Sequence, residues 1–132
     1  MLIKYHFAFH PLNRVLLLRF EGHLTDALLS EMYWGIRKHS AATNPSAGIW
    51  DFSPVTECAV SPELIRDIST RAPAMHPTCR RFVVAPATFS QAASRLFEIA
   101  ANVKNPLLKF VLSCEEAFAA LGLQSQQFEP LA

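Results

Sequence analysis

Four polar residues that could do chemistry follow one apolar run in the middle of the sequence. The run at 48–50, Gly-Ile-Trp, is followed by the hydroxyl and carboxyl groups of Asp51, Ser53, Thr56 and Glu57. An acid/base site needs two carboxyl groups that converge with unequal pKa values, and this spacing does not require Asp51 and Glu57 to meet. Two interpretations stay open. One is a solvated turn bonded to its own backbone, and the other is a rim that binds a partner or small ligand.

Ser61 follows this stretch and precedes a proline, which suits the first position of a helix. Its simplest role is a helix N-cap. The alternative role is a phosphoacceptor or anion site, because a helix N-terminus presents free N–H groups. If the loop is an interaction surface, Val55 and Val60 are expected to be exposed, and Val60 then belongs to the rim.

The histidines and cysteines show no pattern of a metal or redox site. The five histidines form no HExxH motif. The three cysteines are odd in number and have no CxxC spacing, which predicts free thiols in a reducing compartment. A Cys58 nucleophile has no glycine-rich oxyanion loop beside it. We therefore predict no catalytic residue, no metal and no cofactor.

Aromatic residues are candidates for a pocket or an interface. Trp50, Phe52 and Phe97 could line an apolar pocket for a lipid-like ligand, or they could simply belong to the core. Tyr33 and Trp34 lie beside the apolar stripe of the first predicted helix. If both are exposed, they mark a homodimer or partner face.

The composition is typical of a single globular domain. The 132 residues are 51% hydrophobic with a formal net charge of +1. Lys and Arg form no basic stripe, which argues against nucleic acid binding. No apolar run approaches the ~20 residues that span a bilayer, and the N-terminus lacks a signal-peptide core. We expect a cytoplasmic protein with no stable membrane anchor.

Hydrophobic periodicity predicts two strands and a helix, then three strand–helix units. Residues 3–9 alternate and residues 14–20 are almost continuously apolar, which predicts an antiparallel hairpin with the first strand at an edge. Strands beginning at Ala47, Arg81 and Leu107 are expected to be parallel, because strand–helix–strand units cross over right-handed.

Capping residues predict where the helices begin and end. Thr25 caps the first helix, which is expected to end near His39. Ser113 and Glu116 form a capping box, and Gly122 ends the last helix in left-handed geometry. The other predicted helix starts are Ser61 and either Thr88 or Ser90. The predicted fold is α/β, with a mixed five-stranded sheet and four main helices over residues 1–123 and a flexible tail at 124–132.

Four segments, taken in this order, resemble the STAS domain, a family named for sulfate transporters and anti-sigma-factor antagonists. They are residues 19–25, 49–56, 82–86 and 113–122. The resemblance covers nearly the whole chain and is nearest to free-standing bacterial SpoIIAA-like or STAS/SEC14-type proteins. It rests on the order and spacing of the segments and implies a STAS-like fold.

The resemblance also carries expectations about partners. Phospho-switched members have Asp-Ser-Ser-Gly where residues 59–62 are Ala-Val-Ser-Pro. The phosphorylated serine falls on Val60, or on Ser61 after a slip of one residue, so the resemblance does not carry the switch over intact. The partner it implies is a regulatory protein or a kinase-type anti-sigma factor.

Two functions follow from these patterns. The first is a non-enzymatic regulatory or protein-interaction module whose surface is residues 53–60 with Ser61. The alternative is a carrier of a small hydrophobic ligand, with its pocket near Trp50 and Phe97. An enzyme has the weakest support.

Overall fold

The computed structural model describes residues 5–61, 63–64, 67, 74–76, 78–84, 107–123 and 127–131. These residues form an α/β structure with eight strands and two helices. The strands are β1 (Tyr5–His10), β2 (Val15–Phe20), β3 (Gly22–Thr25), β4 (Ala47–Asp51), β5 (Val55–Ala59), β6 (Arg80–Val84), β7 (Leu108–Val111) and β8 (Glu129–Leu131). The helices are α1 (Asp26–Thr43) and α2 (Cys114–Leu121).

Six of the strands form one mixed sheet in the order β7-β6-β4-β2-β1-β8. β2, β4, β6 and β7 run parallel, and β1 is antiparallel to both β2 and β8. The predicted hairpin and the three predicted parallel strands are confirmed. β4 lies inside the sheet, between β2 and β6, so its carboxyl end is flanked by two other strand ends.

The prediction of five strands is wrong, because three further strands form. β3 and β5 make a separate parallel pair, and β8 pairs with the free side of β1, so β1 is not an edge. The segment predicted as a flexible tail, 124–132, therefore includes a strand. β8 has three residues and β5 has five. Strands this short carry too little periodic pattern to be recognised from the sequence without knowledge of their partners.

The two described helices begin at the predicted caps. The Thr25 side chain accepts from the Leu28 N–H at 3.3 Å. α1 extends four residues beyond His39 to Thr43, because alanines at 41 and 42 favour the helix, and it ends at Asn44 in left-handed geometry. Neither described helix is long and apolar enough to cross a membrane.

α2 begins with a variant of the predicted capping box. The Ser113 hydroxyl accepts from the Glu116 N–H, and the Glu116 carboxylate accepts from the N–H of Leu112 rather than from that of Ser113. Gly122 ends the helix at φ 69°, as predicted. The structure thus describes two helices instead of four. Residues 63, 64 and 67 are helical after Ser61, and the helix expected from Thr88 or Ser90 lies outside the described residues.

Each face of the main sheet has its own core. Side chains alternate along β2, so that Leu16 and Leu18 join the α1 side while Val15 and Leu17 join the α2 side. We call these the α1 face and the α2 face. β4 alternates in the same way and places Trp50 on the α1 face.

Candidate functional site

The acid at the end of β4 is almost completely buried. Asp51 is 1% exposed. Its Oδ1 accepts from the backbone N–H of Ser53 at 2.9 Å and from the Ser53 hydroxyl at 2.6 Å. Its Oδ2 lies 3.3 Å from Nε of Arg19, the residue opposite it on β2. The local turn and the neighbouring strand therefore hold this carboxylate together.

Cys114, the first residue of α2, also contacts Asp51. Burial is the largest cause that raises the pKa of this half-buried thiol, and its hydrogen bond to the Asp51 carboxylate raises it further, to about 12. A thiol at a helix N-terminus is often more acidic than usual, but burial and the acid outweigh that effect here. Cys114 is therefore protonated at neutral pH and is a poor nucleophile.

Four donors converge on the Asp51 carboxylate, which has about four lone-pair sites when ionised. They are the N–H and hydroxyl of Ser53, Nε of Arg19 and the thiol of Cys114. The carboxylate joins β2, β4, the following turn and α2 into one polar cluster, which we call the Asp51 cluster. Its geometry suits a structural tie between these elements, because its partners come from a neighbouring strand, the following turn and a helix.

Glu57 takes no part in the Asp51 cluster. Its side chain is 74% exposed, and its Oε2 lies 3.9 Å from Nδ1 of His23 on the paired strand β3. Thr56 is exposed next to it. The two carboxylates thus have separate partners, and the structure does not assemble them into an acid/base pair.

The apolar residues of the same stretch point inward. Val55 is 4% exposed and Val60 is 3% exposed, and both belong to the core on the α1 face. The expectation that they would be exposed contacts of an interaction surface is wrong. Pairing of β5 with β3 fixes which side of β5 faces the core, and that pairing is not visible in the sequence.

Ser61 links the starts of two helical segments. Its hydroxyl accepts from the Leu64 N–H at 3.2 Å, which is the bond that an N-cap serine makes. Its own N–H donates to Oδ1 of Asp26, the first residue of α1, at 2.7 Å. A phosphate on Ser61 would therefore bring negative charge next to the Asp26 carboxylate.

The aromatic candidates are distributed between core and surface. Phe52 is buried in the core of the α1 face, and Trp50 packs against that core; Phe97 lies outside the described residues. Tyr33 is buried, while Trp34 is 55% exposed and meets the Tyr33 ring edge-on at 5.1 Å. The two are not exposed together, so they do not form the paired aromatic face that the sequence suggested.

The described histidines, cysteines and acids contain no group of three that could hold a metal ion. The buried His10 is bonded within the protein. Its Nδ1 accepts from the Asn13 N–H at 3.1 Å, and its Nε2 lies 2.8 Å from Oε1 of Gln127. This histidine joins the turn after β1 to the residues before β8. The side chain of Cys58 lies outside the described part of the structure.

Sequence reasoning missed Arg19 and Cys114 as partners of Asp51. A signal was present in the predicted topology. The carboxyl ends of parallel strands meet at one edge of a sheet, so the end of β2 and the residues after β7 lie near the end of β4.

Comparison with known proteins adds no assignment to this geometry. No protein-family model matches the chain, and a search of curated proteins finds no significant match.

Proposed function

We propose that this chain is a non-enzymatic regulatory or protein-interaction module of STAS-like type that acts in the cytoplasm. Its proposed surface is the exposed residues of β5, Thr56, Glu57 and Ala59, together with Ser61. The observation that carries this proposal is the position of β5. Among the described strands it pairs with β3 alone, outside the main sheet, and it exposes these three residues.

The chemistry of the neighbouring Asp51 cluster supports a role without catalysis. Asp51 is occupied by donors of the protein itself, and the Cys114 thiol is neutral because its pKa is about 12. General acid/base or nucleophilic catalysis needs a group whose pKa and accessibility suit proton transfer or attack. The exposed strip on β5 is instead suited to contacts with another macromolecule.

Val55 and Val60, which were expected to be exposed on this surface, are buried. The proposed surface is therefore limited to Thr56, Glu57, Ala59 and Ser61. By resemblance, the partner is a regulatory protein or a kinase-type anti-sigma factor. The carrier alternative has no comparable support, because Phe52 and Trp50 pack in the core and Phe97 lies outside the described residues.

Quantitative affinity capture tests the proposal. The tagged full chain is compared with Thr56→Lys/Glu57→Lys, and with Lys38→Glu as a control on the exposed side of α1. Proteins captured from the source cell are identified by mass spectrometry, and direct binding of each purified candidate is measured by calorimetry. We expect one protein whose affinity falls at least about tenfold, or ~1.4 kcal/mol, in the double variant and is unchanged in the control.

An equal affinity of every captured protein for wild type and the double variant would refute the β5 surface.

Intact-mass analysis of the chain from its own cell addresses Ser61 separately. A phosphorylated fraction that disappears in Ser61→Ala identifies Ser61 as a phosphoacceptor. A single unmodified mass under all growth conditions leaves the helix cap as its role.

A further inference from the structure

Arg81 is a partly buried cation with two unsatisfied donors. It is the second residue of β6 and shares the α1 face with Val83, because side chains alternate along the strand. Its neighbours across the sheet are Gly48 on β4 and Leu108 on β7. The Nε and Nη2 atoms are buried, and neither has a hydrogen-bond partner among the residues that the structure describes.

These two nitrogens form one edge of the guanidinium. Nε–H and Nη2–H are parallel, and this edge is the one that binds a carboxylate or phosphate through two hydrogen bonds. Within the described residues, the ion pairs found involve other groups, and none places a carboxylate on Arg81. An uncompensated buried cation is unfavourable, so an anion bound at this edge would be stabilising.

The adjacent Arg80 shows the contrast. It is exposed and lies on the α2 face, where its guanidinium stacks 5.4 Å from the Phe82 ring centre. Its Nη1 donates to the carbonyl of Ala120 at 3.3 Å. The described part of the protein therefore provides partners for Arg80 but none for two donors of Arg81.

The nearby thiol does not neutralise Arg81. Burial raises the pKa of Cys79, and the charge of Arg81 lowers it by less. The Cys79 thiol is buried and donates to the carbonyl of Pro45 at 3.3 Å. Burial also lowers the pKa of Arg81, but a guanidinium stays protonated at neutral pH. A positive charge thus remains on the α1 face without a negative partner from this thiol.

We propose that Arg81 is a ligand-binding residue whose Nε and Nη2 hold an oxyanion, a carboxylate or phosphate group of a small ligand. The site lies at the amino end of β6 on the α1 face, and Arg81 as a whole is only partly buried. The β5 surface follows the carboxyl end of β4 and uses other residues, whereas Arg81 lies near the amino end of β6. This proposal is therefore independent of the β5 surface.

Thermal unfolding of the full chain tests the site. Wild type, Arg81→Met, Arg81→Lys and the control Arg80→Met are each titrated with sodium phosphate and with sodium acetate, against sodium chloride at equal ionic strength. In wild type and Arg80→Met, we expect at least one oxyanion to raise Tm by about 5 °C over chloride at ~10 times its Kd. The phosphate and acetate titrations then distinguish the two kinds of head group.

The two Arg81 variants decide the result. Arg81→Met removes the charge, and Arg81→Lys keeps the charge but removes the paired donors, so both are expected to lose the oxyanion-specific rise. If Arg81→Met does not fold, Arg81→Lys alone makes the comparison. The same rise in either variant, or no rise in wild type, overturns the proposal. Partner capture by the β5 surface is unaffected by either outcome, so failure of one proposal is distinguishable from failure of the other.

Discussion

Two charged residues on neighbouring strands of this sheet differ in the hydrogen-bond partners that the described residues provide for them. Asp51, at the carboxyl end of β4 on the α2 face, receives donors from Ser53, Arg19 and Cys114. Arg81, near the amino end of β6 on the α1 face, has two buried N–H groups without partners in the described part of the chain. The acid is neutralised by the protein and ties its elements together. The cation has no such partner among the described residues, so the ligand site that we propose is away from the edge at which α/β proteins usually bind one.

The largest effect is expected from Asp51→Ala. This change removes a buried carboxylate and leaves the partly buried donors of Ser53 and Cys114 without their acceptor, so the free energy of unfolding should fall by about 3 kcal/mol. Glu57→Ala is the matched control and should change it by less than about 0.5 kcal/mol, because Glu57 is exposed. Urea denaturation measures both values. Equal losses in the two variants would mean that Asp51 is not a structural tie.

Gly48→Ala examines the packing next to Arg81. A Cβ at Gly48 would lie 2.6 Å from the Trp50 ring and 2.9 Å from the end of Met75. We expect a loss of about 2 kcal/mol from overpacking. Gly122→Ala is the control: its space is open, and only the left-handed φ of 69° opposes the side chain, which costs about 1 kcal/mol. If Gly48→Ala is the milder change in urea denaturation, the α1 face near Arg81 is less tightly packed than the structure indicates.

The pH dependence of stability tests the thiol of the Asp51 cluster. Folding raises the pKa of Cys114 from its ordinary 9.0 to about 12. This stabilisation is present below the unfolded pKa and is lost as the pH rises from 9.0 to about 12. Cys114→Ala should therefore lose stability less steeply than wild type over that range, as measured by urea denaturation at each pH. Parallel curves would show that folding does not raise the pKa of Cys114.

The smallest effect is expected from Arg19→Met. The Arg19 side chain is 61% exposed, so its ion pair with Asp51 is screened by solvent and should contribute no more than about 0.5 kcal/mol. The measurement is urea denaturation at low and high salt. A loss as large as that of Asp51→Ala would show that the ion pair, rather than Ser53 and Cys114, stabilises the Asp51 carboxylate.

Local features of this chain could be predicted from the sequence. The alternation in β1 and the apolar run in β2 identified the hairpin, because each pattern reports directly which sides of a strand are buried. Thr25, Ser113 and Gly122 marked the ends of helices, since a cap bonds backbone groups only a few residues away. The place of Asp51 at the end of an interior strand was also visible in the sequence, because an apolar run stops at this acid.

Only the tertiary structure decided the pairing of β3 with β5, the addition of β8 to β1, and the burial of Val55 and Val60. Each depends on a contact between residues that are distant in the sequence, and strands of three to five residues carry too little pattern to specify it. The same reason applies to the two charges. The amino-acid types of Asp51 and Arg81 determine which groups each can bond. The strand register determines which donors reach Asp51 and which residues lie next to Arg81.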